Sequence, residues 1–499
     1  MRGSFSLISA HRFRWLSLLL GVISLATVLT LGWSPAPASA VTAQHYTELE
    51  FPPLRDIQIP DFERYALSNG LVVYLMEDHE LPLVTGSATF RTGERLVTAE
   101  QTGLGEIVGD AMRLGGTATY PADALNLALE QRAAAVETSI DVASGSASFN
   151  TLTEDLSDVF TIFADVVQRP AFAQDRIDFL KNRYRGAIQR RNDNPDDIAS
   201  REFRKLVYGA TSPYARTYEF STIDNITRDD IQAFYRASIR PEQTILAIAG
   251  DFDPAQMKDL IAEQFSRWQS APDAPELPPI PTAEQTQAGV FFIDQPQLSQ
   301  SYVQIGHLAG QRNAPDYVEM AVMNEVLNGF GGRLFNEVRS RQGLAYVVYA
   351  FWAARYDYDG IFIGGGQTSS DTTVPFIESV EQEIAAIRQT PVSAEELKRA
   401  QDSVLNSFVF NFQSPEQTLS RLVRYEYYDY PQDFVFQFRE AVANTTAEAI
   451  QVAAQKHLKP EDLVILVVGN SADIDPALST LTPDQTVTNV DITIPTSEA

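Results

Sequence analysis

Two segments decide the fold: Ile231–Asp253, IQAFYRASIRPEQTILAIAGDFD, and Ile450–Asp475, IQVAAQKHLKPEDLVILVVGNSADID. Each reads as an amphipathic helix, a proline that stops it, an unbroken apolar strand and a glycine that ends the strand. Pro241 pairs with Pro460 and Gly250 with Gly469, both at a spacing of 219. Such self-similarity marks two copies of one α/β unit. The same spacing lays Glu106-Ile107-Val108-Gly109-Asp110 over Glu325-Val326-Leu327-Asn328-Gly329. Between the copies, Ala271–Pro281 carries Pro272, Pro275, Pro278, Pro279 and Pro281, a stiff extended linker. The expected fold is α+β. Two homologous α/β domains, each a mainly antiparallel sheet flanked by helices, close like a clam about a central cleft.

Working outward, ERYALSNGLVVYLMED is a hairpin turning at Asn69-Gly70. Leu83–Arg91 alternates as a third strand, and Thr102–Leu114 is a helix entered through a glycine. Ala122–Val136 reads as a second helix behind Pro121. Ser139–Thr151 reads as a strand pair or one long strand. In the second copy, Asn328–Ala350, NGFGGRLFNEVRSRQGLAYVVYA, is a glycine turn, a short amphipathic helix and a strand. The helix face is Leu334, Phe335 and Val338, and Gly343 stops it. The expected segments are 1–40 as a signal peptide, 41–270 and 287–476 as the two domains, 271–286 as the linker and 477–499 as a loose polar tail.

Composition narrows the function. The chain has 499 residues, with 38 basic against 65 acidic and a net charge of −27. That disfavours nucleic acid and anionic membranes as partners. Arg2, Arg12 and Arg14 precede the apolar run Trp15–Trp33, and Ala38-Ser39-Ala40 offers a cleavage site. The body is therefore expected outside the cytoplasm, periplasmic or equivalent, with a membrane anchor as the alternative if the segment is uncleaved. There is no cysteine, so disulfides and thiol catalysis are excluded. Of five histidines, no two stand at helical ligand spacing.

Several stretches together resemble the pitrilysin/insulinase family of zinc peptidases in its short two-domain form, which includes mitochondrial processing peptidase subunits and bc1 core proteins. They are TGLGEIVGDAMRLGGT from Thr102, RRNDNPDDIA from Arg190, SPYARTYEFSTIDNIT from Ser212, RPEQTILAIAGDFD from Arg240 and GGRLFNEVRSRQGLAY from Gly331. Active members carry an inverted motif, His-x-x-Glu-His, on the first helix, where two imidazoles grip zinc and the glutamate acts as base. The matching positions here are Glu106, Gly109 and Asp110, and the third-ligand position falls at Ala187. Arg185 and Arg190 nearby would repel a cation. No zinc is expected on this chain. Glu106 and Asp110 could hold a hard ion with waters, but they read as a solvated acidic face.

The resemblance also implies an arginine and a tyrosine supplied to a zinc site, and Arg339 and Tyr346 match that pattern. Both could stabilise the charge that develops on an attacked peptide carbonyl. Arg341 stands only five residues before the tyrosine, against seven for Arg339, and reads as surface. The expected function is a non-catalytic, zinc-free subunit. It would complete the site of a zinc-bearing homologous partner, with zinc on that partner, for proteolysis of unfolded peptides held along the cleft edge strands. The alternative is a peptide-binding or assembly scaffold with no proteolytic role.

Overall fold

The computed structural model describes residues 59–272, 275–285, 287–482 and 486–495. The expected signal peptide lies outside them. Among the described residues no helix is long and apolar enough to cross a membrane.

The apolar strands assemble into two six-stranded sheets. The first holds β1 (Glu63–Ala66), β2 (Val72–Glu77), β3 (Leu83–Phe90), β4 (Ala135–Ile140), β5 (Gly145–Leu152) and β6 (Thr244–Gly250) in the order β1-β2-β6-β3-β5-β4. The second holds β7 (Gly289–Asp294), β8 (Gln300–Leu308), β9 (Ala345–Ala353), β10 (Ile361–Ser369), β11 (Val464–Gly469) and β12 (Thr488–Asn489) in the order β12-β7-β11-β8-β10-β9. The duplicated strands β6 and β11 lie inside their sheets and are buried throughout. Each runs parallel to one neighbour and antiparallel to the other. Both sheets are mixed and flanked by helices, as the repeat requires.

The helices that bear on the site are α1 (Leu104–Leu114), α2 (Ala122–Glu130), α3 (Leu156–Gln168), α4 (Gln174–Arg190), α5 (Pro195–Tyr208), α6 (Tyr317–Asn328) and α7 (Pro415–Tyr427). One face of each sheet builds its own core. In the first half Phe149 meets Phe160 and Phe163 of α3. The other face is covered from the opposite half. Ile198, Phe203 and Leu206 of α5 pack on Phe291, Ile293, Val464 and Leu466 of the second sheet. Leu419, Leu422 and Val423 of α7 pack on Tyr74, Met76, Ile245 and Ala247 of the first. Arg95, nearly fully buried, seals this exchange with paired bonds to Asp357 at 3.0 and 2.7 Å.

Three expectations are corrected. The helix after Pro121 ends at Glu130, and Ala135 and Val136 already belong to β4. Alternation of Val136, Thr138 and Ile140 toward the core, with Ala135, Glu137 and Ser139 exposed, outweighs the helical reading. The register of α6 against α1 is also one turn off. Ile107, Val108, Ala111 and Met112 are buried in α1, and the matching buried set in α6 is Val322, Met323, Val326 and Leu327. Gly109 therefore corresponds to Asn324 and Arg113 to Asn328. Finally, the tail is ordered where it is described. Thr488–Asn489 add as β12 beside β7, Val490 N–H donates to Phe292 O at 2.8 Å, and Asn192 Nδ2 donates to Ile492 O at 2.7 Å. Val490 and Ile492 pack against the core under α5. Their alternation with polar residues was the signal for an edge strand.

Candidate functional site

Arg339 and Tyr346 are brought together by two local irregularities. Phe335–Arg341 is wound as a π-helix, not the α-helix expected from its spacing. Gln342 N–H donates to Glu337 O at 3.1 Å, five residues back, and Leu344 N–H to Val338 O at 3.0 Å. Such wide turns hold an extra residue and recur at functional sites. Leu334 and Val338 bury completely and fix the inner face. Arg333 locks the entry through Glu396 at 2.7 and 3.3 Å, and Gln342 Nε2 fixes the exit on Ser379 Oγ at 2.9 Å. Of the turn glycines, Gly331 takes a left-handed φ of 81°, whereas a Cβ on Gly332 would sit 2.7 Å from Leu327 O.

The second irregularity is in β9. Val347 pairs with Gln367 and Ala345 with Thr368, so Tyr346 is the extra residue of a bulge. Thr368 Oγ1 donates to Leu344 O at 2.7 Å and pins the bulge from below. The bulge breaks the alternation, leaving Tyr346 78% exposed and Val347 49% exposed in succession. The Arg339 guanidinium lies 4.6 Å from the Tyr346 ring centre and 4.9 Å from that of Phe335. No ion pair to Arg339 occurs among the described residues, whereas Arg341 pairs with Glu337 one turn back. The guanidinium is thus held by aromatic faces, with its charge not neutralised by a carboxylate. Phe330, 94% exposed at the tip of the glycine turn, extends the strip to Phe335 at 5.8 Å.

The matching positions of the first half are closed. Asp110 is held by Arg183 and by Tyr184 Oη at 2.9 Å. Burial pushes the Tyr184 phenol up, so it remains a donor. Glu106 is half-buried, and burial together with the charges of Glu94, Asp110 and Asp141 pushes its carboxyl up to about 7. Buried Glu94 caps α1 by accepting from Gly103, Gly105 and Glu106 N–H at 2.5, 2.8 and 3.3 Å. The acidic pair is therefore not a solvated face. Arg183 pairs with Asp110, while Arg185 turns to Asp224.

Gly109 admits β4 against α1. A Cβ there would lie 2.4 Å from Ile140 N, and Thr138 Oγ1 donates to Gly109 O at 2.6 Å. The strand fills the space that a base side chain would need. Ala187, on α4, offers no ligand atom. These residues do not fit a zinc ion, and no group of three metal-ligating side chains stands among the described residues. The three histidines among the described residues are engaged elsewhere, and His79 lies between Glu77 and Asp251. His307 Nε2 accepts from Lys459 N–H at 3.1 Å and His457 meets Asp316 at 2.8 Å.

Two family profiles match the chain. One, described as insulinase (peptidase family M16), matches residues 72–213, and the other, described as the peptidase M16 inactive domain, matches residues 225–404. Together they span more than half of it. The chain belongs to the insulinase (M16) peptidase family. Within that family it is 22% identical over 365 residues to a Bacillus subtilis protein named uncharacterized zinc protease YmxG, covering 72% of this chain and 86% of that one. It is 22% identical over 399 residues to a Helicobacter pylori protein named non-peptidase homolog YmxG, covering 79% and 90%. The crystal structure of a peptidase M16 inactive domain from Pseudomonas fluorescens shares the fold at a TM-score of 0.75 and 24% identity, covering 84% of this chain and 100% of that one. The periplasmic protease PqqL of Escherichia coli shares it at 0.68 and 15%, covering 86% and 49%. This insulinase-family chain is peptidase-like, and its described residues hold no group of side chains that fits a zinc ion.

Proposed function

We propose that this chain is the zinc-free subunit of an exported two-subunit peptidase. It lends Arg339 and Tyr346 to the zinc site of a homologous partner that carries the metal. The observation that carries this reading is the exposed, stacked Arg339–Tyr346 pair at 4.6 Å, set beside a first-half motif that is closed by Arg183 and β4. A guanidinium without a carboxylate partner and a phenol with an open face are suited to a carbonyl oxygen that gains charge during attack. The strip from Phe330 to Tyr346 is apolar and basic on an acidic protein, which suits burial against a partner. Substrates in this reading are unfolded peptides. Export rests on the arginine-led apolar run at the N-terminus and accords with the periplasmic relative. A scaffold role without proteolysis is favoured by the closed first half alone.

Co-expression with a zinc-motif homologue from the same cell separates the two. The proposal expects co-purification, no zinc and no cleavage of an unstructured peptide by this chain alone, and cleavage by the pair. A partner that is fully active by itself, or that never associates, contradicts it. Association without any gain in cleavage favours the scaffold.

A further inference from the structure

The outer edge of β9 is closed by two asparagine side chains, and that closure sets where an extended peptide can join the sheet. β9 ends its sheet, so alternate residues turn their N–H and C=O away from β10. Asn328 Oδ1 accepts from Ala350 N–H at 2.8 Å, and its Nδ2 donates to Ala350 O at 2.6 Å. Asn324 does the same at Trp352, at 2.8 and 3.3 Å. A primary amide presents a donor and an acceptor much as a peptide group does. Two of them four residues apart on α6 stand where the next strand would run. Asn328 Nδ2 also donates to Asn324 O at 2.7 Å, which fixes the orientation of its amide.

The edge is bounded at both ends. Past Ala353, Arg355 is bonded to Gly310 and Arg312. At the other end Tyr346 is the bulge residue. By alternation, the outward pair between the bulge and Asn328 belongs to Val348. No hydrogen bond to that outward pair occurs among the described residues. We propose that Val348 takes one backbone hydrogen-bond pair from an extended peptide, and that Asn324 and Asn328 end the added strand there, beside Tyr346 and Arg339. Recognition would be through backbone and largely indifferent to sequence. The inference rests on reading this face as the substrate side, and it narrows the edge-strand expectation to one register.

The test is residue-resolved hydrogen exchange on the full chain, with an eight-residue alternating Thr/Val peptide ended by lysines as probe. In the unaltered protein Ala350 and Trp352 amides should be protected and Val348 should exchange freely. Millimolar peptide should slow Val348 by about fivefold or more, the worth of one hydrogen bond. In Asn328→Ala, Ala350 should exchange at least about fivefold faster, and peptide should now slow Val348 and Ala350 together. Asn324→Ala should free Trp352 alone and leave the footprint ending at Val348. That variant also carries the test should Asn328→Ala not fold. Peptide that leaves Val348 unchanged, or an Ala350 or Trp352 amide that stays protected without its asparagine, overturns the proposal. These measurements use neither partner nor cleavage. A footprint at Val348 with no active pair therefore removes the proposed function and keeps this inference, and the reverse outcome does the opposite.

Discussion

Gly109 and Glu106 shape the part of α1 that matches the family's zinc motif, and both make testable claims. A methyl group on Gly109 would press on the backbone at Ser139 and Ile140, which cannot move aside like a side chain. Gly109→Ala should therefore destabilise the fold by about 2 kcal/mol, read by denaturant titration. Glu106 titrates near 7 when folded, against an ordinary value of 4.5. Between those values the folded state holds the proton more tightly, so stability falls as pH rises from about 4.5 to about 7 and stays reduced above. Glu106→Gln removes that loss. Its gain should be on the order of 2 kcal/mol at pH 8 and vanish below pH 4.5. An equal effect at both pH values would show that the carboxyl is not the cause. The residue types at Glu106, Gly109, Asp110 and Ala187 were legible in the sequence, because they are read directly. The closure was not. Arg183 reaches Asp110 across 73 positions, and nothing in RIDFLKNRYRGAIQRR singles out that arginine from its neighbours.

Helix and strand identities followed from hydrophobic period, whereas their irregularities did not. The π-winding of Phe335–Arg341 and the bulge at Tyr346 each insert one residue, and neither insertion alters the apolar pattern enough to be seen. Yet they are what turn an arginine and a tyrosine seven positions apart onto one exposed face. Asn324 and Asn328 did leave a trace, as two amides at helical spacing on a helix whose other polar side chains, Tyr317 aside, are Glu319 and Glu325. The tail left one too, in the alternation of Val490, Ile492 and Ile494 with polar residues. Ending the chain after Gln485 should remove β12 and these contacts. The expected cost is about 2–3 kcal/mol, less than full burial of three such side chains because they are half-buried. A melting temperature equal to that of the full chain would contradict the packing described for this segment.

The duplication told how many sheets there are but not how they are joined. Repeats can sit side by side, but here α5 and α7 each complete the opposite half, so neither sheet is covered without the other. The described body should then unfold in one transition rather than two, by calorimetry and by denaturant. Arg95→Ala leaves Asp357 without its buried partner and should cost about 3–5 kcal/mol while keeping that single transition. Two separate transitions in the unaltered protein would mean that the halves are independent. A body joined in this way presents Arg339 and Tyr346 from a fixed frame, which is what a site shared with another chain demands. The most direct test of that claim is the steady-state cleavage rate of the reconstituted pair with Arg339→Ala on this chain and the partner unaltered. Loss of a transition-state donor predicts a kcat lower by roughly a hundredfold, with association and melting temperature unchanged. A kcat equal to that of the unaltered pair would contradict it.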